Sequence, residues 1–158
     1  VGVMEGETPL AGAVVAPALG IEWTGHSGGI ATRNGERCAV SDTTSLEQAL
    51  LATGFPRERE REPDNNFATF MGVKKRCRGV RRCGAAAIDL CWVADGTYDG
   101  YWERRLNAWD LAAGSAIVLA AGGQLSHLDG GAPRLHEGQL VATNGKIHPA
   151  LVESIRSA

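Results

Sequence analysis

Asp110 is the only ionisable side chain between Leu106 and Gln124. It stands in Leu106-Asn107-Ala108-Trp109-Asp110-Leu111-Ala112-Ala113-Gly114, at the head of a segment otherwise built for burial. A carboxylate in the first turn of a helix is favoured by unpaired backbone N–H groups and the helix dipole, so capping is one role open to it. Binding is the other. Between Trp109 and Leu111 the acid lies near a partly enclosed site, and a desolvated carboxylate needs a cation or several donors. Mg²⁺ takes such oxygens, one or two carboxylates together with substrate phosphate and water. Glu103 ends the run TYDGYWE, across the loop Arg104–Ala108 from Asp110. A strand end and the next helix start can face one crevice in α/β architectures. The alternative for Glu103 is a surface acid paired with Arg104 or Arg105. Finally, Cys83-Gly84-Ala85-Ala86-Ala87 joins a short strand to an apolar helix. Glycine and small residues there let a phosphate or polyol oxygen approach the helix's first N–H groups, although such runs also serve close packing.

The elements that must position these residues are legible as patterns. Val1–Met4 and Leu10–Ala16 read as a hairpin around Glu5-Gly6-Glu7-Thr8-Pro9, and Ile21–Thr24 as a third strand. Gly28-Gly29 and Asn34-Gly35 punctuate a further hairpin. Ser45–Thr53 reads as a strand stopped by Gly54-Phe55-Pro56. Arg57–Glu62 alternates in sign and is expected to be solvated. Asp64 or Asn65 caps a helix to about Arg76, with Phe67, Phe70 and Met71 as its apolar face. Strands are expected at Gly79–Arg82, Thr97–Glu103, Gln124–Leu128 and Leu140–Thr143. Helices are expected at Ala85–Ala94, Trp109–Ala121 and Ile147–Ser157. Two of these helices are apolar on most faces and must be covered by sheet on more than one side. The composition shift near Arg57–Arg82 suggests two parts. Residues 1–80 would form an antiparallel sheet plus a helix, and residues 81–158 an α/β substrate-binding part.

Length and composition bound the rest. With 158 residues and 44% hydrophobic content the chain suffices for a real core. Its net charge of −2 supplies no field toward nucleic acid or an anionic membrane. No apolar run reaches membrane-spanning length, and no basic-then-apolar leader opens the sequence, so a cytoplasmic location is expected. Val1-Gly2-Val3-Met4 reads as the middle of a strand. The cysteines at 38, 77, 83 and 91 match no zinc spacing. Cys91 reads as a buried thiol, and Cys77 and Cys83 as reduced thiols that could approach each other. His26, His127, His136 and His148 show no ligand spacing and are expected on the surface or in loops. No Ser-His-Asp or Cys-His arrangement stands out.

The segment GVRRCGAAAIDLCWVADGTYDGYWERRLNAWDLAAGSAIVLAAGG resembles the C-terminal signature of the inositol monophosphatase family. The family pattern W-D-x-A-A-G-x-x-I-x-x-x-A-G-G is matched from Trp109-Asp110 to Ala121-Gly122-Gly123. GHSGGIATRNGERCAVS, LLATGFP and LVATNGKIHPAL extend the resemblance over nearly the whole chain. It implies an αβαβα sugar-phosphatase-type α/β fold, here without the N-terminal helices and part of the first sheet. It also implies a Mg²⁺-dependent, lithium-sensitive phosphomonoesterase, usually a homodimer, whose metals activate water and stabilise the leaving alkoxide. By motif position, Asp110 resembles the carboxylate that binds the second metal and touches a substrate hydroxyl. Glu103 resembles the acid that hydrogen-bonds the inositol ring. Gly84, Ala85 and Ala86 match the backbone segment lining the substrate.

The family's other metal ligands belong to an upstream acidic pair and a D-P-x-D-G-T block, which this sequence lacks. Asp95-Gly96-Thr97 is not a substitute: it lacks the first Asp and the Pro, and Gly96 reads as a helix C-cap. One carboxylate does not retain a catalytic Mg²⁺, so the 158-residue polypeptide alone is expected not to hydrolyse phosphate esters. Without the family's first helices, the strands Val1–Met4 and Leu10–Ala16 are expected to expose an apolar patch that favours self-association. The other reading is a non-catalytic homologue acting as a dimerising or ligand-binding module.

Overall fold

The computed structural model describes residues 1–58, 60–61 and 63–158. Five strands form an antiparallel meander in chain order: β1 (Gly2–Glu5), β2 (Thr8–Ala16), β3 (Ile21–His26), β4 (Ala31–Arg33) and β5 (Glu36–Cys38). Asn34 and Gly35 turn β4 into β5 with φ of 50° and 81°. Two positive φ values in a two-residue turn match the right-handed twist of the flanking strands.

Across this sheet lies α3 (Ala108–Ala120), and beside α3 lies α2 (Ala86–Ala94). The helix can lie that close because three glycines stand in register under it. Gly2 pairs with Gly12 and Gly12 with Gly25. A Cβ at Gly2 would come within 2.6 Å of the Ala113 nitrogen, one at Gly12 would overlap the Ala113 carbonyl, and one at Gly25 would reach 3.0 Å from the Ile117 Cα. Gly114 does the same on the opposite side of α3, where a Cβ would lie 2.5 Å from that of Leu90 on α2. Small residues in the Ala-Ala-Gly run therefore serve backbone approach on two sides.

The second sheet has the spatial order β7 (Gly79–Arg81), β6 (Leu50–Thr53), β8 (Gly100–Glu103), β10 (Leu140–Thr143), β9 (Gln124–Ser126). The β6 strand is parallel to both β7 and β8, and β10 is antiparallel to β8 and β9. Side-chain alternation along β8 splits the core in two. Tyr101 joins Trp23, Leu90, Leu111 and Ile117 between the sheets. Trp102 joins Leu51, Val141, Leu151 and Ile155 beneath α1 (Phe67–Lys74) and α4 (His148–Arg156). The result is sheet, helix pair, sheet, helix pair: the mixed α/β architecture expected, as four stacked layers. On the outer face of the first sheet Val1, Val3 and Val15 are exposed. The boundary expected at residue 80 falls inside β7, and β6 and β8, from either side of it, pair directly.

Several expectations need correction. Phe67 and Met71 are exposed, and the buried residues of α1 are Thr69 and Val73. Phe70 is half-buried against the core beneath the second sheet, as expected, and the Phe67 and Phe70 rings both pack on Phe55, at centroid distances of 5.0 and 5.6 Å. Residues Leu46–Gln48 form a 3-10 turn, so only the second half of Ser45–Thr53 is strand. The β8 strand starts at Gly100, because the Asp99 carboxylate is turned back to the Leu50 N–H at 2.6 Å and the Ser41 hydroxyl at 2.6 Å. His127 and His148 are buried. Both ring nitrogens of His148 are engaged, by Thr143 Oγ1 and Ser126 Oγ at 2.9 Å each, and burial lowers its pKa. Within Arg57–Glu62, the described residues Arg57, Glu58, Glu60 and Arg61 are exposed as expected; Arg59 and Glu62 lie outside the described residues.

Candidate active site

Parallel pairing of β6 with β8 brings Thr53 level with Trp102, so the chain leaves both strands at the same, carboxyl-terminal end of the second sheet. There the segment after β6, the loop after β8 and the first turn of α3 enclose an open cavity of about 630 Å³. Its wall includes Phe55, Pro56, Arg57, Glu58, Glu103 and Asp110. Two of the residues singled out from sequence thus meet on one cavity, at the position where α/β sheets place ligands.

Asp110 is the third residue of α3, and its Oδ2 accepts the Asn107 N–H at 2.9 Å. The Asp110 N–H in turn reaches the Asn107 carbonyl at 3.0 Å. This reciprocal box satisfies the helix start and fixes the carboxylate on the cavity wall. Trp109 beside it is 78% exposed, so it does not enclose Asp110. Glu103 is not a surface acid paired with its neighbouring arginines. Its Oε2 accepts the Tyr101 hydroxyl at 2.6 Å, two residues back on the same face of β8. Burial raises the Glu103 pKa, opposed by the Tyr101 hydrogen bond and the Arg82 charge, and Asp110 adds to the rise. Arg104 turns away to Asp64 and to Thr69 Oγ1 at 3.2 Å, tying this loop to the start of α1. Leu106 is pinned from behind by its N–H to the Gly138 carbonyl at 3.0 Å.

Gly84, Ala85 and Ala86 lie outside this wall, at the head of α2. Gly84 has φ 91°, and Ala85 offers no side chain to cap the helix. Asp89 connects that segment to the cavity electrostatically. Its side chain is buried, and Oδ1 has no hydrogen-bond partner. Burial pushes its carboxyl up to about 7; the Cys83 thiol lowers it, the Glu103 charge raises it and Arg82 lowers it. Sequence reasoning missed Asp89, although the signal that marked Asp110, a single acid in an apolar helix, is present in AAAIDLCWVA. It also missed Gly54 and Asn66, whose roles depend on through-space contacts.

Asp95-Gly96-Thr97 is structural. The Asp95 carboxylate accepts the Trp23 indole N–H at 2.9 Å and pairs with Arg33 at 3.2 Å, fastening the end of α2 to the first sheet. Gly96 ends that helix at φ 78°. All four cysteines are free thiols, and Cys91 is buried. Among the described residues no three His, Cys, Asp or Glu side chains gather as a cation-binding set. The donors present therefore do not fit a resident Mg²⁺, for which Asp110 is one carboxylate. Among the described residues no helix is long and apolar enough to cross a membrane.

The sequence model of the inositol monophosphatase family matches residues 1–158. The chain is 48% identical over 125 residues to an inositol-1-monophosphatase of Synechocystis sp., covering 79% of this chain and 44% of that relative. It is 42% identical over 145 residues to Nus factor SuhB of Pseudomonas aeruginosa, covering 90% of this chain and 54% of that one. The solved inositol monophosphatase from Anabaena (Nostoc) sp. PCC 7120 superposes with a TM-score of 0.93 at 40% identity, over 95% of this chain and 60% of that chain. The chain spans about half the length of the curated relatives it matches.

Proposed function

The chain belongs to the inositol monophosphatase family, and on that premise we propose that it carries the substrate-binding part of a phosphomonoesterase acting on inositol phosphate or a related small phosphate ester. What supports this reading is the meeting of Glu103 and Asp110 on one open cavity. A carboxylate accepts hydrogen bonds from polyol hydroxyls, and Glu103 is held for that task by Tyr101. Asp110, anchored on the Asn107 N–H, faces the same cavity, where it would meet a substrate hydroxyl and could supply one oxygen to a Mg²⁺ whose other ligands these residues do not provide. The open amides at the head of α2, beside Gly84, Ala85 and Ala86, suit further substrate oxygens. The chemistry a Mg²⁺ would supply is Lewis-acid polarisation of the phosphoryl group. The described residues do not assemble its ligand set, so no chemical step is assigned to it in these 158 residues.

That same shortage favours a second reading for the polypeptide as it stands: a non-catalytic, dimerising or ligand-binding module. Two preparations distinguish them. The polypeptide as its gene encodes it is assayed with Mg²⁺ against myo-inositol 1-phosphate, fructose 1,6-bisphosphate, histidinol phosphate and a 3′-phosphoadenosine nucleotide. The expected outcome is preference for the inositol phosphate, with Asp110→Asn lowering kcat/KM by about a thousandfold. The isolated 158-residue polypeptide is expected to show no Mg²⁺-dependent turnover. Turnover by that polypeptide overturns the ligand argument, and indifference to inositol phosphates overturns the substrate ranking.

A further inference from the structure

We propose that Gly54 and Asn66 are positioning residues: together they form a berth for the Glu103 carboxylate and so set where a substrate hydroxyl is held. The inference rests on the reading that Glu103 binds substrate. Gly54 directly follows β6, level with the end of β8. A Cβ placed on it would overlap Oε1, Cδ and Oε2 of Glu103. Its backbone is not among the positive-φ glycines. The missing side chain at 54 therefore serves space for a carboxylate, not an unusual torsion. On its other side that carboxylate is held by the Tyr101 hydroxyl at 2.6 Å.

Asn66 fixes the floor of the berth. Its Nδ2 donates to the Gly54 carbonyl at 2.7 Å and to Thr53 Oγ1 at 2.9 Å, and its Oδ1 accepts the Trp102 indole N–H at 2.9 Å. Thr53 Oγ1 closes the network on the Trp102 carbonyl at 2.5 Å. All this is buried, and Asn66 keeps φ at 71°, a left-handed conformation uncommon for a residue with a side chain. Strained, over-determined residues gather where geometry must be held for function. Here the network clamps the ends of β6 and β8 together one residue before Gly54 and one before Glu103. It also closes the base of the segment whose first residues, Phe55 to Glu58, line the cavity.

The test uses the polypeptide as its gene encodes it, with myo-inositol 1-phosphate and Mg²⁺. Gly54→Ala is expected to raise KM by about tenfold while kcat changes by less than about threefold, since a displaced carboxylate weakens substrate positioning. In a Glu103→Ala background, which already lacks the acid and has its own raised KM, adding Gly54→Ala is expected to change KM by less than about twofold, because the methyl acts only through that carboxylate. A packing role for Gly54 independent of Glu103 would raise KM equally in both backgrounds. A Gly54→Ala protein with KM unchanged, or an equal rise in the Glu103→Ala background, overturns the proposal. If Gly54→Ala fails to fold, recovery of the fold by the double variant Gly54→Ala/Glu103→Ala supports the berth, and its failure to fold overturns it. If the parent does not act on inositol phosphates, the functional reading falls separately. The crystal structure of Gly54→Ala then decides the berth: a Tyr101–Glu103 hydrogen bond kept at 2.6 Å overturns it, and a displaced Glu103 supports it.

Discussion

Asp89 is 1% exposed, has one carboxylate oxygen without a partner, and sits within the field of Glu103 and Arg82. Its carboxyl is raised to about 7, mainly by burial. The folded chain therefore keeps a proton that the unfolded chain releases. The stabilisation linked to this proton is complete at low pH and is lost as pH rises through about 7. Asparagine has the same shape and no charge to desolvate. Asp89→Asn is expected to melt roughly 4 °C above the parent near pH 8, with the gain shrinking toward about pH 4. Thermal melts across that range check this; a gain independent of pH would show that ionisation at 89 is not the cause. The same residue shows why one acid in an apolar helix is an ambiguous signal. Asp110 reaches a cavity wall, and Asp89, in a similar local sequence, is closed in by its neighbours.

At the scale of elements, the site is placed by how α3 is seated. The ladder Gly2–Gly12–Gly25 lets the helix lie against the first sheet, and Gly114 lets α2 close on it. Asp110 stands in the first turn of that seated helix, so the seat fixes its height over the cavity. Gly12→Ala forces a methyl into the Ala113 carbonyl, and is expected to cost about 2–3 kcal/mol by urea unfolding, as overpacking does. Ala11→Ser, one residue away on the outer face, is expected to change stability by less than about 0.5 kcal/mol. Equal effects of the two would show that the close approach is not what Gly12 provides. The strand and helix order was readable because periodicity is local. The apolar face of α1 was misread at Phe67 and Met71: Phe67 packs on Phe55, and the buried positions beside Phe70 fall to Thr69 and Val73.

At the scale of the whole molecule, the four layers bury both faces of the second sheet and one face of the first. The outer face of the first sheet presents Val1, Val3 and Val15, exposed by 95%, 53% and 61%. Apolar strands left uncovered favour association. The 158-residue polypeptide is therefore expected to self-associate with rising concentration in sedimentation velocity runs. Val3→Lys with Val15→Lys is expected to weaken that association by about tenfold or more. Association unaffected by the two lysines would place the contact elsewhere.

By itself the sequence determined the family, through Trp109-Asp110 to Gly122-Gly123, and with it the layered α/β class and the pairing of Glu103 with Asp110 as candidates. Short motifs and periodic burial are written along the chain, so they can be read there. The tertiary structure alone decided which residues share the cavity wall. It set Gly54 under Glu103, turned Asn66 inward, closed Asp89 within reach of the Glu103 charge and buried His148. The reason is register: the parallel pairing of β6 with β8 joins positions 53 and 102, and no local pattern specifies which strand lies beside which or how far each has slid.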